Sequence, residues 1–577
     1  MAKNVADGMW EMLVSAGVRR CYGIVGDALN PVIDALRRNG QIEFVHVRHE
    51  EYGVFAAVAE ATLTGRPVAV CGTAGPGVTH LINGLIDARR EGAPVIAIAG
   101  DTETGVQDSS ALEELNPYRF FETAAHYIGR LVNPDQLHHV VGNAITVAVA
   151  ERGPTVIAVP ADTAQLPAPK SPTWVPLPAT RPGPAHPEEV RRMAELLDSA
   201  GKIAIFGGDG CATAGPQVRE LARTLQAPVG YSLKGKQWLE HDNPNAVGMT
   251  GLLGYGGCWE AINKCDVLLM LGTDFPFKQF LPQSKVKVIQ VDRHASHLGR
   301  RVPLEQAVLG DVAATVDALL PLVKPKQDSR FLDKCVKHTE RSVKRLRHYV
   351  TEGPKLTPIR PEYLASVLNE EAADDALFFA DTGTAVIWAS HYLTLGPNRR
   401  LMGSFTWASM ANAAPNAFGA QLAFPGRQTI ALCGDGGFTM LGLGDLLTQV
   451  QRGTPVLQVV LNNAELGFVH LEQQEAGLRP YGTDFQNPDF AKVAEAMGAT
   501  GIRVEDPADL RDAVRRALSH RDGPVVLDVL VDKYALALPE HVPAETVTGF
   551  TLGELKMSLG GEAAEVMKNV THNVRLL

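Results

Sequence analysis

Cysteine is scarce and scattered. The seven in the chain (Cys21, Cys71, Cys211, Cys258, Cys265, Cys335, Cys433) never fall into CxxC spacing. An odd, dispersed set excludes the disulfide framework of a small secreted fold and the paired thiolates of a zinc site, and it fits a reducing cytoplasm. Long apolar runs are absent as well. No segment approaches the roughly eighteen residues that cross a bilayer, and residues 1–7 lack a basic-then-apolar leader, so neither a membrane span nor a secretion signal is expected. Positive charge is not in excess either: a net charge of -10 argues against a nucleic-acid partner, whose binding depends on neutralised phosphates. Low-complexity tracts and short repeats do not occur.

What is present is an ordinary globular composition, 45% hydrophobic and 20% charged, over 577 residues. At about 150 residues per domain such a chain is too long for one core, and three units are expected. Short β-branched runs at 68–71, 95–99 and 155–159 alternate with helical patterns, which predicts βαβ units around a parallel sheet in a first domain, 1–165. Prolines 172, 176, 178, 182 and 184 make 166–188 an extended linker. Strand-like runs at 203–206, 267–271 and 286–291 mark a second α/β domain, 189–325. The stretch 326–360 reads as a charged helix joining domains, with Lys337, Arg341, Lys344, Arg345 and Arg347 on a solvated face. A third α/β domain spans 361–545. In the tail, 546–577, Ala563, Val566, Met567, Val570, Val574 and Leu577 recur at spacings of three and four, the pattern of an amphipathic helix. The fold class is therefore α/β: three doubly wound parallel-sheet domains and a short helical tail.

The most informative segment is 428–437, a short buried strand opening into Gly434-Asp435-Gly436-Gly437, followed by a second apolar run ending in Asn462-Asn463. Glycines admit a phosphate close to backbone amides, and the amides that open the next helix add positive potential there. Asp435 and an asparagine at the end of the neighbouring strand supply the hard oxygens that suit Mg²⁺ carried on a diphosphate. Upstream stand Glu50, at the mouth of an Ala-rich helix, and Thr73-Ala74-Gly75-Pro76-Gly77.

This combination resembles the thiamine diphosphate (ThDP) enzymes, and over nearly the whole chain it is most similar to their FAD-containing, quinone-linked pyruvate oxidase branch. The matching segments include His80-Leu81-Ile82-Asn83-Gly84-Leu85, Asp242-Asn243-Pro244, residues 248–254, Gly272-Thr273-Asp274-Phe275-Pro276, Gly403-Ser404-Phe405 and Ser409-Met410-Ala411-Asn412. The resemblance implies that Glu50 contacts the aminopyrimidine ring. A carboxyl group there can exchange the proton that lets the cofactor's own amino group deprotonate C2, whereas an amide could accept the hydrogen bond but not exchange the proton. It further implies ThDP contacts at Gly383, Thr384, Ser409, Met410, Gly434, Asp435, Gly436, Gly437 and Asn463, with Met410 as the wedge that folds the cofactor, and Mg²⁺ on Asp435, Asn463 and Glu465. The Asp435-to-asparagine interval is one residue longer than the family pattern. The extra residue is assigned to Leu441-Gly442-Leu443-Gly444, so the amide ligand is Asn463 or Asn462, and Asn463 is preferred. FAD contacts are implied at Gly207, Gly208, Lys234, Lys236, Thr250, Gly251, Gly272, Thr273, Asp292 and Asp311.

The same resemblance chooses the reaction. After the metal asparagine, acetolactate synthases carry a Gln-Trp-Gln segment, whereas this chain has Leu466-Gly467-Phe468-Val469-His470-Leu471-Glu472, as in the oxidases. Phe468, Glu472 and His80 would line the substrate pocket. The implied activity is oxidative decarboxylation of pyruvate, or a related 2-oxo acid, to acetate and CO₂ through a ThDP-bound enamine, with electrons passing by FAD to a membrane quinone. A carboligase with structural FAD and an acetyl-phosphate-forming oxidase are the alternatives. The family also implies a homodimer or homotetramer in which Glu50 and Asp435 meet across chains, and a cytoplasmic enzyme that touches lipid through its tail. One departure stands out: Leu112-Glu113-Glu114 replaces the family's Phe-Gln-Glu, and Glu113 brings a carboxylate toward an anionic substrate.

Overall fold

The computed structural model describes residues 3–169, 183–283 and 285–536, with residues 550–552, 554, 556–557, 566–568 and 572–573 beyond them. The apolar runs become strands buried on both faces, the environment a parallel sheet provides. In the first domain these are β1 (Arg20–Gly23), β2 (Glu43–His46), β3 (Val68–Gly72), β4 (Val95–Asp101), β5 (Tyr127–Arg130) and β6 (Thr155–Pro160). They pair in the order β2-β1-β3-β4-β6-β5, all parallel.

The second sheet holds β7 (Ile203–Gly207), β8 (Val229–Tyr231), β9 (Ala246–Met249), β10 (Tyr255–Gly256), β11 (Val267–Leu271), β12 (Lys287–Asp292) and β13 (Gln306–Leu309). Its order is β10-β9-β8-β7-β11-β12-β13, parallel except for the short edge strand β10. The third holds β14 (Leu377–Ala380), β15 (Arg400–Met402), β16 (Thr429–Gly434), β17 (Val456–Asn462), β18 (Thr500–Val504) and β19 (Val525–Leu530). Its order, β15-β14-β16-β17-β19-β18, repeats that of the first sheet strand for strand. The winding switches direction at β1/β3, β7/β11 and β14/β16, and the crevice above such a switch is where doubly wound folds bind ligands.

Two boundaries differ from the sequence expectation. Residues 166–168 belong to the first domain, because Val5 N donates to Leu166 O and Ala168 N to Lys3 O. The helix Pro187–Ser199 already opens the second domain, capped by His186 and started by a proline that needs no N–H partner there. The helix Arg330–Glu352 is more than a joint. Cys335 is buried in the central core, and Lys334 and His338 pair with Glu260, while Lys337, Arg341, Lys344, Arg345 and Arg347 face solvent as expected.

The first and third domains share one packed seam. Helix Glu50–Thr64 lies along helix Ala413–Ala423 so closely that a Cβ on Gly419 would meet Ala56 O at 2.0 Å. Phe418 packs against Tyr22 and Tyr52, Gln449 donates to Tyr52 Oη (2.7 Å), and Arg48 N donates to Asp445 Oδ1 (2.8 Å). Each large apolar side chain buried here contributes about 1.5–3 kcal/mol. All seven cysteines are buried, and none of them forms a disulfide. Among the described residues no helix is long and apolar enough to cross a membrane. Ala563, Val570, Val574 and Leu577 lie outside the described residues, so of the apolar stripe of the tail only Val566 and Met567 are described. The described tail residues rest on the third domain: Gln474 donates to Met557 Sδ, Asn573 donates to Tyr534 O (2.6 Å), and His572 Nδ1 stands 2.7 Å from Asp532 Oδ2.

Candidate active site

The β14/β16 crevice gathers most of the diphosphate-binding candidates. Gly383 turns the chain with φ +125, a conformation only glycine adopts without strain, so that Thr384 opens helix Thr384–Tyr392 over the crevice. Across from it β16 ends at Gly434 and Asp435 starts the next helix. The Asp435 carboxylate is 2% exposed and accepts from Gly436 N (2.9 Å), Asn463 N (2.9 Å), Ala464 N (2.7 Å) and Asn487 Nδ2 (2.8 Å). Burial nonetheless pushes its proton affinity up to about 6, against the pull of these donors. Three donors crowd Oδ2, whereas Oδ1 has only Gly436 N, so an oxygen lone pair remains for a cation. A Cβ on Gly436 would stand 3.4 Å from Met410 Cε, which sets the wedge candidate beside the GDG turn.

The two asparagines part ways. Asn462 donates to Asp528 Oδ1 (2.8 Å) and accepts from Asn487 Nδ2 (2.9 Å), so both ends of its amide are committed within the domain. Among the described residues Asn463 Oδ1 accepts only Glu465 N (3.2 Å), and the side chain lines a small cavity of about 30 Å³ with Thr384, Glu465, Gly467 and His470. Glu465 pairs with His470 at that wall. A π-helical turn, Phe438–Gly442, the kind of turn that accommodates one added residue, overlaps the expected insertion. Helix Gly467–Glu475 carries Phe468, packed partly on the third core, and Glu472, whose proton affinity is raised by partial burial.

In the first domain Glu50 is buried at the start of its helix, with Oε2 2.9 Å from His80 Nδ1. His49 stacks on His80 at 4.4 Å and caps the helix by accepting Glu51 N. A Cβ on Gly77 would come within 3.0 Å of Glu50 Oε1, so the glycine-rich turn keeps this carboxyl group accessible. Glu113 leans on the same turn, from a left-handed residue (φ +64) with its Cβ at 2.9 Å from where a Gly75 Cβ would be. Among the described residues no hydrogen bond or ion pair joins Glu50 or His80 to Asp435. Ser409 is nearer the first domain: Asn83 Nδ2 donates both to Ser409 Oγ (3.0 Å) and to Glu51 Oε1 (2.7 Å).

In the central domain the β7/β11 crevice brings Gly207, Gly208, Gly272 and Thr273 together. A Cβ on Gly208 would meet Gly272 O and Thr273 Cβ at 2.7 Å, so the crevice floor is bare backbone, as a pyrophosphate requires. Among the described residues Thr250 Oγ1 is buried without a hydrogen-bond partner beside Gly251 (φ +108), a hydroxyl open to a ligand. Lys234 reaches Glu91 (2.9 Å) and Asp209 (3.7 Å). Lys236, by contrast, is 2% exposed and held by Glu240 and Tyr255. Asp311 caps helix Val312–Leu319 through Ala314 N, and Asp292 accepts His294 N with His297 at 3.3 Å. These three do structural work in the chain, and Asp311 is spent in part on its own helix.

Sequence reasoning missed Asn487, in the loop before helix Phe490–Ala496, and Asp528, on the neighbouring strand β19, which clamp Asp435 and Asn462. No local motif marks them.

Comparison with known proteins agrees with this geometry. Residues 3–120 match the family model "Thiamine pyrophosphate enzyme, N-terminal TPP binding domain", residues 190–319 the central domain of the same enzymes, and residues 381–529 their C-terminal TPP binding domain. The chain therefore belongs to the thiamine pyrophosphate (ThDP) enzyme family, all three domains included. Within the family it is similar to the pyruvate oxidase of Lactiplantibacillus plantarum (32% identical, 90% of this chain and 87% of that one) and to an acetolactate synthase of Mycobacterium bovis (30%, 92% and 89%). A Bacillus subtilis protein described as thiamine pyrophosphate-containing is 35% identical over 96% of both chains.

Proposed function

We propose that this ThDP enzyme oxidises pyruvate, or a close 2-oxo acid, to acetate and CO₂ with FAD as the internal electron carrier and a membrane quinone as acceptor: pyruvate, water and quinone give acetate, CO₂ and quinol. The observation that supports the reading is helix Gly467–Glu475, which begins four residues after Asn463 and carries Phe468 together with Glu472, whose proton affinity is raised by partial burial. ThDP supplies the electron sink for decarboxylation and FAD the two-electron acceptor. The chain does the rest. Asp435, Asn463 and Glu465 would hold Mg²⁺ and with it the diphosphate, and Gly383–Thr384 present backbone to the same group. Glu50, bonded to His80, would meet the aminopyrimidine and exchange a proton with it. Glu472, whose proton affinity burial raises, would serve as a proton donor on the substrate side, and Phe468 would exclude water there.

For FAD the fit rests on the bare β7/β11 crevice and the buried Thr250 hydroxyl. Anaerobic mixing of the holoenzyme with a panel of 2-oxo acids tests the reading. Bleaching of the flavin by pyruvate, with acetate as product, is expected. An unbleached flavin with a carboligation product would replace oxidase by acetolactate synthase-like ligase. Glu50→Gln should retain ThDP yet slow turnover about 10²-fold, within the usual range for acid–base groups, and near-normal turnover would remove Glu50 from its role.

A further inference from the structure

Helix Ile82–Glu91 begins two residues after His80 and carries Asn83, Asp87 and Glu91 four residues apart, hence on one face. Every one of them bonds the loop between β15 and helix Ala413–Ala423. Asn83 donates to Ser409 Oγ (3.0 Å) and accepts Trp407 Nε1 (2.7 Å). Asp87 Oδ1 accepts Ser404 Oγ (2.6 Å), and Glu91 Oε1 accepts Thr406 N (2.9 Å). Ser404 Oγ in turn accepts Ser409 N (2.9 Å). Asp87 and Ser404 are 0% and 1% exposed, so this pairing is internal to the molecule. Within the loop, Ala408 (φ +62) and Ala411 (φ +63) bracket Ser409–Met410 in left-handed conformations. Alanine enters that region at a cost of about 1–2 kcal/mol, and it stays there only when neighbours over-determine the backbone. These three side chains do so from the first domain, alongside Asn412 within the loop's own domain, which accepts Ser404 N (3.0 Å) and donates to Ser409 O (2.8 Å).

We propose that Asn83, Asp87 and Glu91 are positioning residues for ThDP: they hold the strained Ser409–Met410 segment at the angle from which Met410 meets the cofactor. This rests on the reading of Ser409–Met410 as a ThDP contact, and the test separates the two. ThDP half-saturation is measured on the full chain in the presence of Mg²⁺, together with the emission of Trp407, assigned by difference from Trp407→Phe. Asp87→Ala and Ser404→Ala should each raise half-saturation about tenfold, the effect of one lost buried hydrogen bond, and shift Trp407 emission to the red. The double variant should be no worse than either single, because both remove one interaction. Asp87→Asn, which keeps an acceptor for Ser404, should stay within about twofold of the parent, and this rescue excludes a simple folding defect. The proposal is overturned if Asp87→Ala and Ser404→Ala leave half-saturation and Trp407 unchanged while Met410→Ala weakens ThDP. If Met410→Ala is also silent, the reading of the segment falls with it.

Discussion

Asn462 and Asn463 are adjacent and chemically identical, and only their partners tell them apart. Asp528 and Asn487 hold the first, while the second keeps its amide at the cavity. Asp435→Ala and Asn463→Ala should therefore weaken Mg²⁺-dependent ThDP retention without releasing FAD. Asn462→Ala should instead lower stability, since Asp528 Oδ1 loses its amide donor while Oδ2 keeps Phe490 N and Arg503, a loss of about 1 kcal/mol. Isothermal titration with ThDP and Mg²⁺ distinguishes them, and ThDP loss in Asn462→Ala alone would reverse the assignment. Asp87 offers a second residue-scale expectation. Burial, helped by the negative charge of Glu91 and opposed by the Ser404 hydrogen bond and by Lys234, pushes its carboxyl group up to about 8. The folded state thus holds a proton that the unfolded chain releases near its ordinary value of 3.8. Stability from this group is undiminished below pH 4 and falls as pH rises from about 4 to about 8. Asp87→Asn should flatten the decline of Tm across that window, and an identical slope in both proteins would remove Asp87 as its source. In the sequence this residue is one acid in an ordinary helix. Nothing local reveals that a serine more than three hundred positions away caps it.

The strands were legible because a parallel sheet buries them on both faces, so their apolar runs are unbroken. The GDG turn was legible because glycines and an acid at a strand end have few other uses together. The extra residue after Asp435 could be counted from the sequence, but not its form. A π-helical turn overlaps the expected insertion, and beyond it Asp445 and Gln449 lie on the face that meets Arg48 and Tyr52. The segment from Asp108 to Glu114 was less readable. Asp108, Ser110 and Glu113 all have positive φ, and the backbone amides of Asp108 and Ala111 both donate to Glu114. Glu114 thus ties the loop down and Glu113 is left free over Gly75. Glu113→Gln should raise kcat/KM for pyruvate several-fold, because at close range two carboxylates repel by about 1–4 kcal/mol before screening. Unchanged preference across a 2-oxo acid panel would leave Glu113 without a selective role.

At the scale of the molecule, the first and third domains are the same six-stranded sheet used twice. One copy carries the Glu50 carboxyl and His80 imidazole groups and the other the residues proposed to hold the metal and diphosphate. The proposed quinone partner calls for a membrane contact, assigned to the tail. Removing residues 561–577 should abolish flotation with liposomes under pyruvate while sparing reduction of a soluble dye, because Asp532 keeps its bond to Arg360 when His572 is gone. Equal flotation of both forms would reject the tail as the anchor. The sulfur atoms, finally, make the protein its own recorder. Cys21 and Cys71 lie inside the first domain, Cys211, Cys258 and Cys265 inside the second, and Cys433 inside the third, all shielded in the native state. A thiol-reactive dye can therefore mark a domain only while that domain stands open. The order in which peptides acquire the label gives the order in which the three sheets come apart.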